Sequence, residues 1–240
     1  MKSKIKNSKS ISIMFPLYKD KRTVKSMILK SLRILKKTKK KFEIVIVDDG
    51  CPENSGKIAQ ELSKKNPKIR VYFHKKNLGY GAAVKKGLKN CRYDCIFATD
   101  GDDEYDVGDL PRMLKAFYKS DLVITYRYKK KYKTIRIIIS WVYNIILRLL
   151  FKTNFRDIST GSRLVSKKLV KKIKLTSNSP FIGAELAIKA KYAGFDVSEI
   201  GIHTYPRTFE TGSSVSMKNI ILTIRDMIIL FIRLNLKKIF

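Results

Sequence analysis

Tyr93–Asp106, YDCIFATDGDDEYD, is the stretch on which the fold turns. Its first half is an apolar run of strand length, CIFAT; its second half is crowded with carboxylates. Six of the chain's 20 Asp and Glu residues fall between Asp100 and Asp109, in a chain that carries 52 Lys and Arg and a formal net charge of +32. A short buried-looking strand that ends abruptly in acids is expected where a parallel sheet presents groups to a ligand, because open α/β sheets bind ligands at the carboxyl ends of their strands.

Working outward, β-rich runs alternate with helical ones from Ser10 to about Thr125. The strands are expected at ISIMFPL from Ile11, FEIVIVDD from Phe42, IRVYF from Ile69, YDCIFATD from Tyr93 and DLVIT from Asp121. Amphipathic stretches lie between them at Thr23–Leu35, Ser55–Lys65, Gly81–Asn90 and Leu110–Tyr118. Pro111 sits near the start of the last, where a missing N–H costs nothing. The alternation predicts an α/β fold of βαβ units on a mostly parallel sheet. Three strand ends then bring acids to one rim: Pro16-Leu17-Tyr18-Lys19-Asp20, Asp48-Asp49-Gly50 and Asp100-Gly101-Asp102.

Adjacent carboxylates repel unless a cation joins them. A hard divalent ion, Mg²⁺ or Mn²⁺, held by carboxylate oxygens and completed by substrate phosphates, resolves that repulsion. In an extended or turn segment residues two apart can point the same way, so Asp100, Asp102 and Glu104 can converge while Asp103 faces elsewhere. Asp106 and Asp109 read as loop or capping residues, with Asp109 placed to cap the helix that Pro111 opens.

The 240 residues, 44% hydrophobic, suffice for one domain with appendages. Cys51, Cys91 and Cys95 have no two-plus-two spacing and only two histidines to assist them, so neither a disulfide framework nor a zinc site is indicated, and a reducing setting is the default. The N-terminal MKSKIKNSKS lacks the apolar stretch of a secretion signal. The positive charge and twelve tyrosines raise nucleic-acid binding as a competing reading. The basic residues are spread without a module, however, and the acidic rim would repel phosphates without metal, so no nucleic-acid partner is expected.

After Thr125 the texture changes. A basic loop, Arg127–Lys133, leads into TIRIIISWVYNIILRLLF, Thr134–Phe151, where Arg136, Ser140, Asn144 and Arg148 recur every four positions as one polar stripe on an otherwise apolar helix. Its uncharged run from Ile137 to Leu147 is too short to span a bilayer, which takes about 20 residues. The segment from Met217 to Phe240 is a second basic amphipathic stretch. Both are expected to pack in the protein or to lie in the interfacial plane of an anionic membrane.

The order P-x-Y at the first strand, VDDG after the second, Asn77-x-Gly79-x-x-x-Ala83-x-x-x-Gly87, and then DGDxEYD resembles the family 2 glycosyltransferases of the GT-A nucleotide-sugar-binding fold. More narrowly, it is similar to their dolichol-phosphate mannosyltransferase and polyprenyl-phosphate glycosyltransferase branch, from about Ile11 to Ser214. The resemblance implies that Pro16, Tyr18 and Asp20 border the nucleotide, that Asp48 or Asp49 holds the base and ribose, and that Asp100 lies beside nucleotide and metal. Asp102 and Glu104 would be metal ligands bridging to the diphosphate. On the acceptor side, Arg127 matches an S-R-Y element that approaches the donor phosphates, and Arg136 and Ser140 match an Arg and Ser that hold the lipid phosphate. Asp157–Arg163, DISTGSR, is similar to a D-x-x-S-G-F-R segment. Glu185 and Arg207 match late E-L and R-x-x-G-x-S elements.

The resemblance thus implies inverting transfer of a mannose- or glucose-like sugar from a GDP-mannose or UDP-glucose type donor to a dolichyl or undecaprenyl phosphate. The protein would sit peripherally on the cytoplasmic face of a membrane. Residues 1–216 would form the transferase domain, with a nucleotide-sugar half at 10–125, an acceptor half at 126–216 that includes the 134–151 helix, and a C-terminal helix at 217–240. Two alternatives remain: a family 2 transferase acting on a soluble or polysaccharide acceptor, and a non-catalytic membrane-associated relative.

Overall fold

The structure is a computed structural model that describes residues 10–128, 134–205 and 216–236, with the side chains of 134–136 outside that set. Seven strands form one sheet: β1 (Ser10–Leu17), β2 (Lys41–Asp48), β3 (Ile69–Phe73), β4 (Cys95–Ala98), β5 (Leu122–Arg127), β6 (Arg163–Ser166) and β7 (Val197–Ile202). Their order across the sheet is β3-β2-β1-β4-β6-β5-β7. All run parallel except β6, which is antiparallel to both β4 and β5. The helices are α1 (Val24–Lys37), α2 (Ser55–Lys65), α3 (Tyr80–Asn90), α4 (Leu110–Phe117), α5 (Thr134–Phe151), α6 (Lys167–Lys172), α7 (Ile182–Tyr192) and α8 (Met217–Asn235).

The central strands are mostly apolar because helices cover both faces. On one face Met27, Ile28 and Leu35 of α1, Ala59 of α2 and Met113 and Phe117 of α4 pack on Ile13, Ile44 and Phe97. On the other, Val84 and Leu88 of α3 meet Met14, Val45 and Ile96. A third cluster builds the second half of the chain: Leu147 and Phe151 of α5, Ala187 and Ile188 of α7 and Met227 and Leu230 of α8 close over Leu122, Ile124 and Val165. Each fully buried side chain of this size contributes about 1.5–3 kcal/mol.

Two backbone features open the rim. β1 pairs with β4 only as far as Met14 opposite Ala98, and the last bond across that boundary is Thr99 N–H to the Met14 carbonyl. Pro16 follows two residues later, so its missing N–H falls on the side where β4 has already diverged and no ladder bond is lost. The divergence makes the crevice at the switch point between β1 and β4. Gly50 closes β2 with φ +65°, and a Cβ there would lie 2.5 Å from the Lys76 carbonyl carbon, which explains why the VDDG turn ends in glycine.

Pro111 lies in the first turn of α4, as expected, but Asp109 does not cap it: its carboxylate pairs with Arg112 at 2.9 Å. Asp106 does the capping one turn earlier, accepting the Gly108 N–H at 2.6 Å and pairing with Lys30 at 3.0 Å. Carboxylates compete for the nearest donor, and the guanidinium one turn ahead wins Asp109.

Candidate functional site

At the β2 end both acids hold the loops around them. Asp48 accepts the Cys51 N–H at 2.7 Å and the Gly56 N–H at 2.6 Å, and so ties the β2 turn to the start of α2. Asp49 accepts the Leu78 and Gly79 N–H groups at 3.0 and 2.8 Å and contacts His74 Nδ1 at 2.6 Å, which ties the same turn to the start of α3. His74, one residue beyond β3, was not singled out in the sequence; only its place at a strand end marks it. At the β1 end Asp20 accepts the Tyr18 N–H at 3.0 Å, and Thr23 Oγ1 donates to the Gly101 carbonyl at 2.7 Å, joining this turn to the acidic one. Tyr18 is exposed above it. Cys51 accepts the Lys19 N–H at 3.1 Å, a packing role. Cys91 is buried in the core, where burial pushes its thiol up to about 12, outside nucleophile range.

The acidic turn itself is largely buried, with Asp102 7% and Glu104 2% exposed. Asp100 Oδ1 accepts a bond of 2.8 Å from the Tyr80 hydroxyl, the first residue of α3. Burial and the neighbouring Asp100 charge both raise the Tyr80 phenol well above its ordinary value, so it stays protonated as the donor. Asp102 Oδ1 accepts the Glu104 N–H at 3.2 Å. The Glu104 carbonyl accepts the Tyr205 N–H at 3.1 Å, and Tyr105 forms a bridge to Thr204.

Among the described residues no three His, Cys, Asp or Glu side chains form a ready metal cluster. Asp103 adopts φ 62°, which turns the chain within the acidic segment. The donor set nonetheless fits a hard cation. One or two carboxylates supplemented by substrate phosphates is the usual way Mg²⁺ is held, and a ligand set completed by the substrate needs no three-residue cage.

On the other side of the crevice, Arg127 at the β5 end has a side chain 5% exposed and clamps Asp157 with two bonds, Nε to Oδ2 at 2.8 Å and Nη2 to Oδ1 at 3.1 Å. The same guanidinium reaches Ser159 Oγ at 2.7 Å and Ser140 Oγ on α5 at 3.3 Å. Asn144, one turn along α5, donates to Asp157 Oδ1 at 3.3 Å and accepts the Ile158 N–H at 2.9 Å. The polar stripe of α5 therefore faces the protein at Ser140 and Asn144, and its apolar side faces out: Ile138, Trp141, Val142 and Leu149 are exposed, Trp141 by 60% and Leu149 by 75%. α8 is built alike, with Asp226, Met227 and Leu230 inward and Ile221, Ile224, Ile228 and Ile232 exposed. No helix among the described residues is long and apolar enough to cross a membrane.

Glu185 does not stand open to a substrate. It accepts the Thr176 and Ser177 N–H groups at 2.9 Å each and pairs with Lys189 at 2.6 Å, while Ser177 Oγ donates to Asp226 of α8 at 2.6 Å. It thereby ties the 176–177 loop to α7, a role its place in an E-L element does not disclose. Arg163 is buried and lines a small cavity with Pro16, Tyr80, Thr99 and Gly161; among the described residues its Nε and Thr99 Oγ1 have no hydrogen-bond partner. Arg136 lies in the first turn of α5, with its side chain outside the described residues; Arg207, and with it the R-x-x-G-x-S element, also lies outside them.

A strand-end acidic rim facing a buried arginine, on this sheet order, is matched by sequence: a family model described as glycosyl transferase family 2 covers residues 12–174. The chain belongs to glycosyl transferase family 2. Its sequence is 24% identical over 212 residues to glycosyltransferase AglD of Haloferax volcanii, covering 82% of this chain and 33% of that protein. It is 27% identical over 195 residues to the dolichol-phosphate mannosyltransferase of Pyrococcus furiosus, covering 76% of this chain and 53% of that one. The chain thus spans a third to about half the length of these curated relatives. In fold it is similar to glucosyl-3-phosphoglycerate synthase of Mycobacterium tuberculosis, solved with Mn²⁺, uridine diphosphate and phosphoglyceric acid, with a TM-score of 0.70, 14% identity, and coverage of 91% of this chain and 76% of that one. The last likeness supports a GT-A-like fold.

Proposed function

We propose that this family 2 glycosyltransferase moves a sugar from a nucleotide diphosphate donor to a polyprenyl phosphate at a membrane surface, with inversion at the anomeric carbon. The observation that carries the reading is the junction at Arg127. One buried guanidinium joins the β5 strand end to Ser140 of α5, whose opposite face is bare apolar surface. A lipid phosphate needs this combination, a cationic and hydroxylic seat for its head beside a surface that accepts its tail.

A phosphate oxygen is already an anion at neutral pH, so the nucleophile requires positioning in line with the anomeric carbon more than deprotonation. Arg127 and Ser140 supply that seat, with Arg136 one turn before Ser140 on the same helix and Arg207 from the late element. The full engagement of Glu185 agrees with a reaction that does without a general base. On the donor side the loops fixed by Asp20, Asp48 and Asp49 border the nucleotide with Pro16 and Tyr18, and Asp100 lies beside it. Mg²⁺ or Mn²⁺ held by Asp102 and Glu104 would supply positive charge to the leaving diphosphate. The name of the Pyrococcus relative supports the lipid acceptor, and the Mn²⁺–uridine diphosphate complex of the fold neighbour supports the metal.

The exposed apolar side chains of α5 and α8 support peripheral attachment to the cytoplasmic face of an anionic membrane, where the +32 charge adds attraction. The expected result is co-sedimentation with phosphatidylglycerol-containing vesicles that weakens as salt rises. Trp141→Glu with Leu149→Glu should lower the bound fraction at least about tenfold, since each exposed side chain of this size contributes about 1.5–3 kcal/mol when buried. Equal binding by the double variant would remove α5 from the membrane contact. The transfer reaction itself is tested by whether labelled sugar becomes lipid-extractable when a polyprenyl phosphate is supplied.

A further inference from the structure

We propose that Tyr80 and Gly161 together are the positioning device for the Asp100 carboxylate, one holding each of its oxygens before any ligand binds. The inference rests on the reading that Asp100 borders the nucleotide and metal. From the α3 side, the Tyr80 hydroxyl donates to Asp100 Oδ1 at 2.8 Å. Its own backbone is anchored on both flanks: the Gly79 N–H bonds to Asp49 Oδ2 at 2.8 Å and the Gly81 N–H to the Asn178 carbonyl at 2.9 Å. Tyr80 is therefore a fixed arm, and it links the β2 acid Asp49 to the β4 acid Asp100 through one helix start.

The other oxygen, Oδ2, abuts Gly161. A Cβ at that position would lie 1.9 Å from Asp100 Oδ2, 2.6 Å from its Cγ and 3.0 Å from Tyr105 Cε2. The wall has little freedom to yield. Thr160 Oγ1 donates to the Thr125 carbonyl at 2.9 Å, Thr125 Oγ1 donates to the Ser162 carbonyl at 2.8 Å, and Arg163 donates to the Thr160 carbonyl. Gly161 has no positive φ, so glycine is required here by the close approach of the carboxylate and not by the backbone conformation. Groups that are held in place before the ligand arrives spare the ordering cost of binding.

Two measurements on the intact chain test this. Mn²⁺ is titrated by electron paramagnetic resonance in the presence of UDP and, separately, GDP, and thermal unfolding is followed without any ligand. Tyr80→Phe keeps the ring and removes the bond. It should leave Tm within about 4 °C of the wild type, the effect of one hydrogen bond in a chain of this size, yet weaken Mn²⁺–nucleotide binding about tenfold. Gly161→Ala should lower Tm by about 5 °C through overpacking, and most of that loss should vanish in the Asp100→Ala background, where the clashing carboxylate is gone.

Wild-type affinity in Tyr80→Phe, or a Gly161→Ala loss of equal size with and without the Asp100 side chain, would overturn the proposal. If the wild type itself binds Mn²⁺ with neither nucleotide, the donor-site reading fails, and the unfolding cycle still decides whether Gly161 and Asp100 are coupled.

Discussion

Asp102→Ala should lower sugar transfer about 10³-fold at saturating Mg²⁺ or Mn²⁺, the scale set by removing one group that stabilises developing charge in a closed site. Asp102 is 7% exposed in the turn that follows β4, and its Oδ1 accepts the Glu104 N–H, so its loss also loosens the partner carboxylate. Asp102→Asn separates the two effects. It keeps an acceptor for that N–H and removes only the negative charge, so transfer should still fall about 10²-fold or more while Tm stays near the wild-type value. Steady-state rates across a metal titration provide the check. Undiminished transfer by Asp102→Ala would end the metal assignment.

Arg127→Ala should damage both stability and activity, and the two can be pulled apart. Arg127 and Asp157 are each 5% exposed in their side chains and share two hydrogen bonds. Removing the guanidinium takes two charged hydrogen bonds from a buried carboxylate, to which Asn144 and Ser159 also donate. Breaking one side of such a pair costs about 3–5 kcal/mol, or about 10 °C in Tm for a chain of this size. The double variant Arg127→Ala with Asp157→Ala carries no stranded charge and should recover most of that Tm. Its transfer rate should remain at least about 10²-fold down, because the cation proposed to seat the phosphates is still absent. Recovery of activity along with stability would show that Arg127 serves only to neutralise Asp157.

The first half of the fold was legible because its signals are local. Apolar runs of strand length, amphipathic stretches between them and acids at three strand ends report directly on β1 to β5 and α1 to α4. β6 was not legible: Arg163–Ser166 is four residues, and its place between β4 and β5 is fixed by tertiary pairing that no periodicity records. β7 failed for a related reason, since Val197–Ile202 lies at the sheet edge and is only partly buried over its first four residues. The rim positions of Asp20, Asp48, Asp49, Asp100 and Arg127 could be read from strand ends. The direction of each side chain could not. Asp103 in a left-handed conformation redirected the acidic turn, and the donors that Asp48, Asp49 and Glu185 accept from lie 3 to 30 residues away along the chain. The stripe of α5 was legible as a stripe, but only its contacts with Asp157 and Arg127 reveal that the polar face turns inward and leaves the apolar one exposed.

The central claim is tested most directly by incubating the protein with radiolabelled GDP-mannose and UDP-glucose, each with dolichyl or undecaprenyl phosphate and Mg²⁺ or Mn²⁺, and partitioning the products between water and organic solvent. The account predicts that label from at least one donor moves to the organic phase, only when both polyprenyl phosphate and metal are present, and that Arg136→Ala abolishes that movement. Label that stays in water with every polyprenyl phosphate, while moving to a soluble or polysaccharide acceptor, would contradict it.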